Sequence, residues 1–417
     1  MGITRRELLA GVGGVAAVAA AGRAAATAEP ESAMQTPDAT LPAKQAFAIP
    51  AGQTFLNSAF IHPLPVFAAE AMRRYLDTRT LREERRHSGD ELSAQLKGHF
   101  AQLINARPAE ISFVQNTSSG ENLVVGGLGI PAGSGNVVTD DLHFEGSLLL
   151  YGELARRGLD VRLVRHRDWR IELADLERVV DQRTRLIAVS QVSWYNGFEH
   201  DLKAVCDLAH AHGAYVYADV AQAAGNTPID VRASGVDFCA CSSFKWLMGD
   251  FGLGFLYVKE SLLDTVVRRT QYGYQQADVE LHYLPSDPPA DAPVTWSLHG
   301  DATGHFEVGS YAQSVVGGLL QSLPWLQRIG AANIQRYRQP LLAALHRELP
   351  RLGWTAITPP DSRSALVSFT LRGAEQRFAD RLQRAKVTVS LRGDRMRISP
   401  SIFNDTHDIE VLLNALS

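Results

Sequence analysis

Cysteine is scarce in this chain of 417 residues: three in all, Cys206, Cys239 and Cys241. So few, and so clustered, they exclude a disulfide framework. A metal site would need more ligands of matching spacing than the sequence offers. Cys239 and Cys241 stand two apart in an apolar stretch, on one side of an expected strand, where small packing residues belong. Charge of either sign is in little excess, with 41 Lys and Arg against 45 Asp and Glu, which argues against nucleic acid as the main partner. The one basic run, Arg82–Arg86 (REERR), carries its own glutamates and reads as a solvated helix face. No apolar run is long enough to span a bilayer. What remains is ordinary globular composition, 45% hydrophobic and 21% charged, in a chain able to bury a large core in two or three domains.

The N-terminus carries a pattern of its own. Thr4-Arg5-Arg6-Glu7-Leu8-Leu9 is a twin-arginine sequence, followed by a mild apolar run from Leu8 to Ala21 and a small-x-small site at Ala26-Thr27-Ala28. Residues 1–28 are therefore expected to be a signal peptide for the twin-arginine export machinery, which carries folded proteins to the periplasm or exterior. No stable membrane association is expected. Residues 29–54, rich in Ala, Pro, Thr and Glu at their start, read as a linker and N-terminal segment.

From Phe55 onward apolar strand-like runs alternate with helical patterns. Strands are expected at Ile111–Gln115, Asn136–Thr139, Asp160–Val164, Arg185–Val192, Ala214–Asp219 and Val236–Cys241, with helices at Leu173–Val180 and Leu202–His212 among them. That alternation indicates an α/β fold with a mostly parallel sheet covered on both faces. Such sheets hold ligands beyond the carboxyl ends of their strands, and Asn116–Asn122, Asp219 and Lys245 all fall there. Residues 272–305, with DPPADAP and little periodicity, read as a long surface excursion. After Gly309 the pattern turns helical (Ser314–Leu323, Ala331–Leu349), then strand-like (Ser364–Leu371, Val387–Arg392, Met396–Pro400), and closes on a helix at Asp408–Leu416. A large domain over 55–310 and a smaller α+β domain over 311–417 follow.

Two residues carry most of the chemistry. Asp219 ends the apolar run AYVYAD, and Lys245 follows the run VDFCACSSF. A lysine amine in partly apolar surroundings is a usable nucleophile. A carboxylate facing a pyridine nitrogen keeps that ring protonated and electron-withdrawing. Together they suit pyridoxal 5′-phosphate (PLP). Upstream, Asn116-Thr117-Ser118-Ser119-Gly120 follows a strand and opens a helix, a setting for a phosphate.

The chain resembles the class V aminotransferase family of PLP-dependent enzymes (fold type I), from about Phe55 to its end. Asp219-x-x-Gln222-x-x-Gly225 and SSFKWLMGDFGLGFLYV are similar to that family's cofactor motifs, with Phe244 where histidine is common. The resemblance implies a large domain with a seven-stranded, mostly parallel sheet. It makes Lys245 the Schiff-base lysine, Asp219 the partner of the pyridine nitrogen and Gln222 that of the phenolic oxygen. Thr117, Ser118 and Ser242 become phosphate ligands, and Gly225 lets the chain pass close to its neighbours. Over the ring the family places a histidine or an aromatic; His143 and Phe144 both fit, with a slight lean to His143. HFEVGSYA puts Ser310 where relatives reach the partner subunit's cofactor, implying a homodimer. RISPSIFND makes Arg397 the ligand of the substrate carboxylate, with Arg392 second, and Asn57 and His62 are placed near the substrate.

Among members, the motifs look most like isopenicillin N epimerase-like and kynureninase-like proteins. The expected activity on an α-amino acid is α-proton abstraction from an external aldimine, as in an aminotransferase or epimerase. A second proton donor could be His62 or Tyr272. The alternatives are a C–S or C–C lyase or hydrolase, cysteine lyase-like or kynureninase-like, and a catalytically inactive PLP-binding protein. No cysteine follows Cys241, so a persulfide-forming desulfurase is disfavoured.

Overall fold

The computed structural model describes residues 40–81, 89–281 and 294–417. The twin-arginine segment, the Arg82–Arg86 run and the middle of the 272–305 excursion lie outside the described residues. Seven strands form the central sheet: β1 (Ile111–Val114), β2 (Asn136–Asp140), β3 (Asp160–Val164), β4 (Thr184–Ser190), β5 (Tyr215–Asp219), β6 (Phe238–Ser242) and β7 (Gly254–Val258). Their order is β1-β7-β6-β5-β4-β2-β3. The pairs β3/β2, β2/β4, β4/β5 and β5/β6 are parallel, and β7 runs against both of its neighbours. The six strands expected from the sequence sit within a residue or two of their runs. The seventh is the FLYV run after the glycines.

Helices α1 (Val66–Thr80), α2 (Gly89–Leu103), α3 (Thr117–Gly127), α4 (Glu145–Arg156) and α5 (Leu202–Ala211) belong to this body. Burial on both faces explains the near-continuous apolar character of β2, β4 and β6. A core cluster runs from Val114 and Val124 through Tyr151, Leu186 and Tyr217 to Val258. The expected helix at Leu173–Val180 is only Leu173–Glu177 long. Within the excursion, Ala277–Leu281 (β8) and Val294–Leu298 (β9) pair as an antiparallel ladder, where no regular structure was expected. The alternation of DVEL and TWSL is too short to stand out from its surroundings.

Later in the chain, α6 (Gln313–Ile329) packs on α1 and α2, and α7 (Ala331–Glu348) follows directly. The antiparallel sheet β10 (Thr355–Ala356), β11 (Val367–Thr370), β12 (Ser390–Arg392) and β13 (Arg395–Ile398) has the order β10-β11-β13-β12. Helices α8 (Ala374–Arg384) and α9 (Thr406–Leu416) cover it. One difference from the sequence reading concerns the start of the described chain. Thr54 and Phe55 pair in parallel with Val387 and Thr388, Asn57 bridges Ser399, and Leu56 joins the core of Trp354, Phe369 and Ile398. The segment expected to lead into the large domain thus packs with the C-terminal body. Its backbone N–H groups, Thr54 to the Lys386 carbonyl at 3.0 Å and Leu56 to the Thr388 carbonyl at 2.8 Å, are satisfied by chain more than 300 residues away, a partner that local pattern cannot reveal.

Candidate active site

Lys245 sits three residues past β6, in a turn that Trp246 anchors from beneath. The indole is fully buried and donates Nε1–H to Gln222 Oε1 at 2.9 Å. Gly225 has φ +95°, and a Cβ there would lie 2.5 Å from the Trp246 carbonyl oxygen. Only glycine lets the Asp219 loop pass the Lys245 turn this closely. Lys245 opens onto a cavity of about 510 Å³ lined by Gln115–Ser118, Phe144, Ser190, Trp194, Asp219, Gln222, Ser242, Phe244 and Phe251. Protein surrounds the amine on its other sides. Burial pushes the amine down to about 8, Asp219 works against that shift, and Arg397 adds to it. About half of it is therefore neutral at pH 8, the form a nucleophile and base needs.

Asp219 ends β5 and is buried; one oxygen accepts Ala221 N–H at 2.8 Å. Burial raises its pKa, while His143, the Ala221 N–H and Lys245 pull it back. Gln222 Nε2 donates one hydrogen to the Ala59 carbonyl at 3.0 Å, leaving the second for the cavity. At the opposite wall Asn116 caps α3, its Oδ1 accepting Ser119 N–H at 2.9 Å. The Thr117 N–H donates to Ser242 Oγ at 3.0 Å, and the two hydroxyls stand 2.9 Å apart. Hydroxyls of Thr117, Ser118 and Ser242 thus gather at a helix N-terminus, a setting for a dianionic phosphate.

Phe144 lines the cavity, its ring centroid 5.9 Å from Lys245 Nζ. His143 is turned away from it, held between Ser190 Oγ at 2.8 Å and Glu121 Oε1 at 3.2 Å. The lean toward His143 thus meets a geometry that gives the wall to Phe144, because the buried partners Ser190 and Glu121 hold the imidazole out of the cavity lining. Arg397, on β13, is 4% exposed and donates Nη1–H to the Trp194 carbonyl at 2.8 Å. Its Nε is buried without a partner. Burial, with Arg395 and Arg392 beside it, lowers its pKa to about 10. Such an uncompensated cation suits an anionic ligand group.

Arg397 is bonded to Trp194, which lines the cavity, and is not itself a lining residue; the remaining candidates are not brought to the cavity. His62 is buried, with Nδ1 2.8 Å from the Pro63 carbonyl and Nε2 2.6 Å from Ser401 Oγ. Burial lowers its pKa to about 4, so it stays neutral and packs edge-on against Trp246. Asn57 bridges Ser399, two residues after Arg397, and its Oδ1 is buried without a partner. Arg392 is exposed at the end of β12. Ser310 lines an adjoining cleft with Ser118 and Ser119, and its hydroxyl lies 2.6 Å from Tyr274 Oη. Tyr272 is 76% exposed and lines neither space. Sequence reasoning missed the stacked pair Phe244–Phe251, 4.4 Å between centroids, and Arg395, whose guanidinium lies 3.9 Å from the Tyr195 ring centroid. It also passed over Glu121, an acid set among the apolar residues of α3.

The family model described as Aminotransferase class-V matches residues 72–408. The chain belongs to the class-V aminotransferase family. A probable cysteine desulfurase from Methanothermobacter thermautotrophicus is 28% identical over 328 residues, 77% of this chain and 78% of that protein. A cysteine desulfurase from Shigella sonnei is 32% identical over 275 residues, 64% of each chain. The fold is shared with an Escherichia coli cysteine desulfurase at TM-score 0.76 and 22% identity, over 90% of this chain and 97% of that one. A cystine C–S lyase in complex with cysteine persulfide shares it too, at TM-score 0.76 and 24% identity, over 88% and 97% of the two chains. A lysine-to-alanine variant of that lyase carries glycine covalently linked to its PLP cofactor.

The cofactor of this class-V enzyme is PLP. The donor set here fits it: hydroxyls at a helix N-terminus for a phosphate, a carboxylate for a ring nitrogen, an aromatic wall, and an amine of lowered pKa between them.

Proposed function

We propose that this enzyme is a C–S lyase, which eliminates the sulfur substituent from the β-carbon of an L-amino acid. One observation carries the proposal: an amine of lowered pKa, Lys245, lies within the field of Arg397, a buried guanidinium whose Nε has no partner, in a chain whose curated relatives are cysteine desulfurases. PLP, when bound, supplies an electron sink for the pair left at the α-carbon. Lys245 would anchor it, with Asp219 facing the ring nitrogen, Gln222 the phenolic oxygen, Phe144 the ring face, and Thr117, Ser118 and Ser242 the phosphate.

Arg397 binds the α-carboxylate of the substrate, which orients the α-hydrogen toward Lys245. The neutral Lys245 amine takes the α-proton. The C–S bond then breaks with both electrons going to sulfur, and the Lys245 ammonium returns its proton to the leaving sulfur. The released three-carbon remainder takes up water, giving pyruvate and ammonium. No cysteine thiol accepts the sulfur. Cys206, Cys239 and Cys241 are all buried, and burial raises each thiol's pKa, that of Cys206 to about 12. Sulfur therefore departs as sulfide or a thiol, not as an enzyme persulfide.

Sequence motifs alone put transamination or epimerisation first; kinship with sulfur-removing enzymes reverses that order. The deciding experiment is proton NMR in D₂O of the PLP-loaded enzyme with L-cysteine, L-cystine and S-methyl-L-cysteine, with and without a 2-oxo acid. Pyruvate and free thiol or sulfide, independent of oxo acid, are expected. Amino-group transfer to the oxo acid, or inverted α-carbon without C–S cleavage, would overturn the proposal.

Two further sequence expectations join it. The enzyme works as a homodimer, supported by Ser310 in its family motif and by exposed Tyr272, Tyr274 and Trp296. Light scattering at twice the chain mass tests this. Export is supported by the twin-arginine pattern at Thr4–Leu9, and loss of export in an Arg5→Lys, Arg6→Lys double variant tests it.

A further inference from the structure

Behind the wall that carries Asp219 lies a hydrogen-bonded chain that the mechanism above leaves unused. Glu121, on α3, is 1% exposed. Its Oε1 accepts from Tyr151 Oη at 2.8 Å and faces His143 Nε2 at 3.2 Å, while Oε2 accepts from Ser147 Oγ. Two hydroxyl donors, with the His143 ring nitrogen opposite, suit the ionised carboxylate. A buried carboxylate is stable only when paired, and the cation that faces this one is the imidazole of His143, itself 1% exposed. Burial works against protonation of His143, but Glu121, Asp219 and Asp140 outweigh it and its pKa is raised. The imidazolium then donates Nδ1–H to Ser190 Oγ at 2.8 Å. Ser190 ends β4, lies opposite Asp219 in the β4/β5 register, and lines the cavity.

We infer that Glu121 and His143 form a buried carboxylate–imidazolium pair that holds Asp219 ionised, with Ser190 joining the pair to the cavity wall. Both are positioning residues acting through Asp219. The inference rests on Asp219 facing the cofactor's ring nitrogen, as proposed above. Other ionisable groups face the same space: Tyr217 beside Asp219 on β5, Tyr151 on α4, Asp140 on β2 with His200 at 3.1 Å, and Lys245 across the cavity. Of the charges acting on Asp219, that of His143 is the strongest, and the like charge of Glu121 is weaker. Removing the imidazolium therefore makes Asp219 protonate at higher pH. Removing the charge of Glu121 has the same outcome, because His143 then loses the partner that keeps it charged.

The test uses the full chain, stripped of cofactor and titrated with PLP at pH 6 and pH 8, as wild type, Asp219→Asn, Glu121→Gln and His143→Gln. The ratio of wild-type PLP affinities at pH 8 and pH 6, which includes the titration of Lys245, is the reference. In both Glu121→Gln and His143→Gln that ratio should be about tenfold larger than in wild type, through weaker binding at pH 6, and the acid limb of the visible cofactor band should move up by about one pH unit. Should Glu121→Gln not fold, His143→Gln carries the test, since its amide can still bond Glu121 and Ser190 but cannot be charged. Equal weakening at both pH values, or none, would overturn the inference. An Asp219→Asn variant with wild-type affinity would sink the assignment of Asp219 itself. If Asp219→Asn loses PLP and His143→Gln does not, only the present inference falls.

Discussion

The floor of the cavity comes from the carboxyl ends of β4, β5 and β6, where Ser190, Asp219 and Ser242 end neighbouring parallel strands and Lys245 follows the last of them. Its other side joins Trp194, on the loop after β4, to Arg397, 203 residues later on β13. Ladder hydrogen bonds fix the floor. Cross-chain side-chain bonds fix the opposite side: Arg397 to the Trp194 carbonyl, Arg395 and Ser368 to the Tyr195 carbonyl, and Asn196 to the Ile357 carbonyl. The difference separates two kinds of work. The groups proposed to make and break bonds sit on the ladder-bonded part, and Arg397, proposed to bind the substrate carboxylate, sits on the part held by longer-range side-chain bonds.

The sharpest way to break this comparison is at the floor. Lys245→Ala should abolish the visible absorbance of the covalently held cofactor and reduce turnover by at least about 10⁴-fold. Unchanged absorbance would move the covalent site elsewhere. On the opposite side, Arg397→Ala should raise KM for α-carboxylate substrates about 100-fold with cofactor affinity nearly intact, the loss of a charged hydrogen bond of about 2–3 kcal/mol. Steady-state kinetics beside a PLP titration would check it, and an equal loss in both would erase the division of labour. Between the floor's two loops, Gly225→Ala should cost about 2–4 kcal/mol of stability, read as a lower Tm of the cofactor-free protein, because its Cβ would meet the Trp246 carbonyl at positive φ.

A milder probe reads the floor's electrostatics. Lys245 is charged below its lowered pKa and neutral above it, so in the cofactor-free chain its labelling by an amine-selective reagent should be half-maximal near pH 8. An ordinary exposed lysine titrates near pH 10.4. Smallest of all, Phe251→Ala at the cavity mouth should change kcat/KM by only about two- to fivefold. Phe251 is 55% exposed and lines the cavity mouth while stacked on Phe244. A larger loss would put the mouth among the binding elements.

Legibility in the sequence follows the same line. Asp219, Gln222, Ser242 and Lys245 stand at the ends of apolar runs, and a parallel sheet brings such ends to one edge whatever their spacing along the chain. The phosphate-side turn at Asn116–Gly120 was readable for the same reason, as a cap opening a helix after a strand. Neither His143 against Phe144 nor the fate of His62 could be read that way. A turn imposes no fixed alternation on its side chains, and only the packed neighbours (Glu121 and Ser190 in one case, Ser401 in the other) say which side faces the cavity.

By itself, then, the sequence determined the alternation of elements, the family, the cofactor and the residues at the strand ends, because each is encoded in a local run. Tertiary structure alone decided that Thr54–Asn57 completes the C-terminal body, that Arg397 stands behind Trp194 with an unpartnered Nε, and that Glu121 and His143 pair beneath Asp219. Those contacts join residues from 22 to more than 300 positions apart. They exist only once hydrophobic burial has closed the chain around them, and once buried, a polar group must find a partner wherever the fold has placed one.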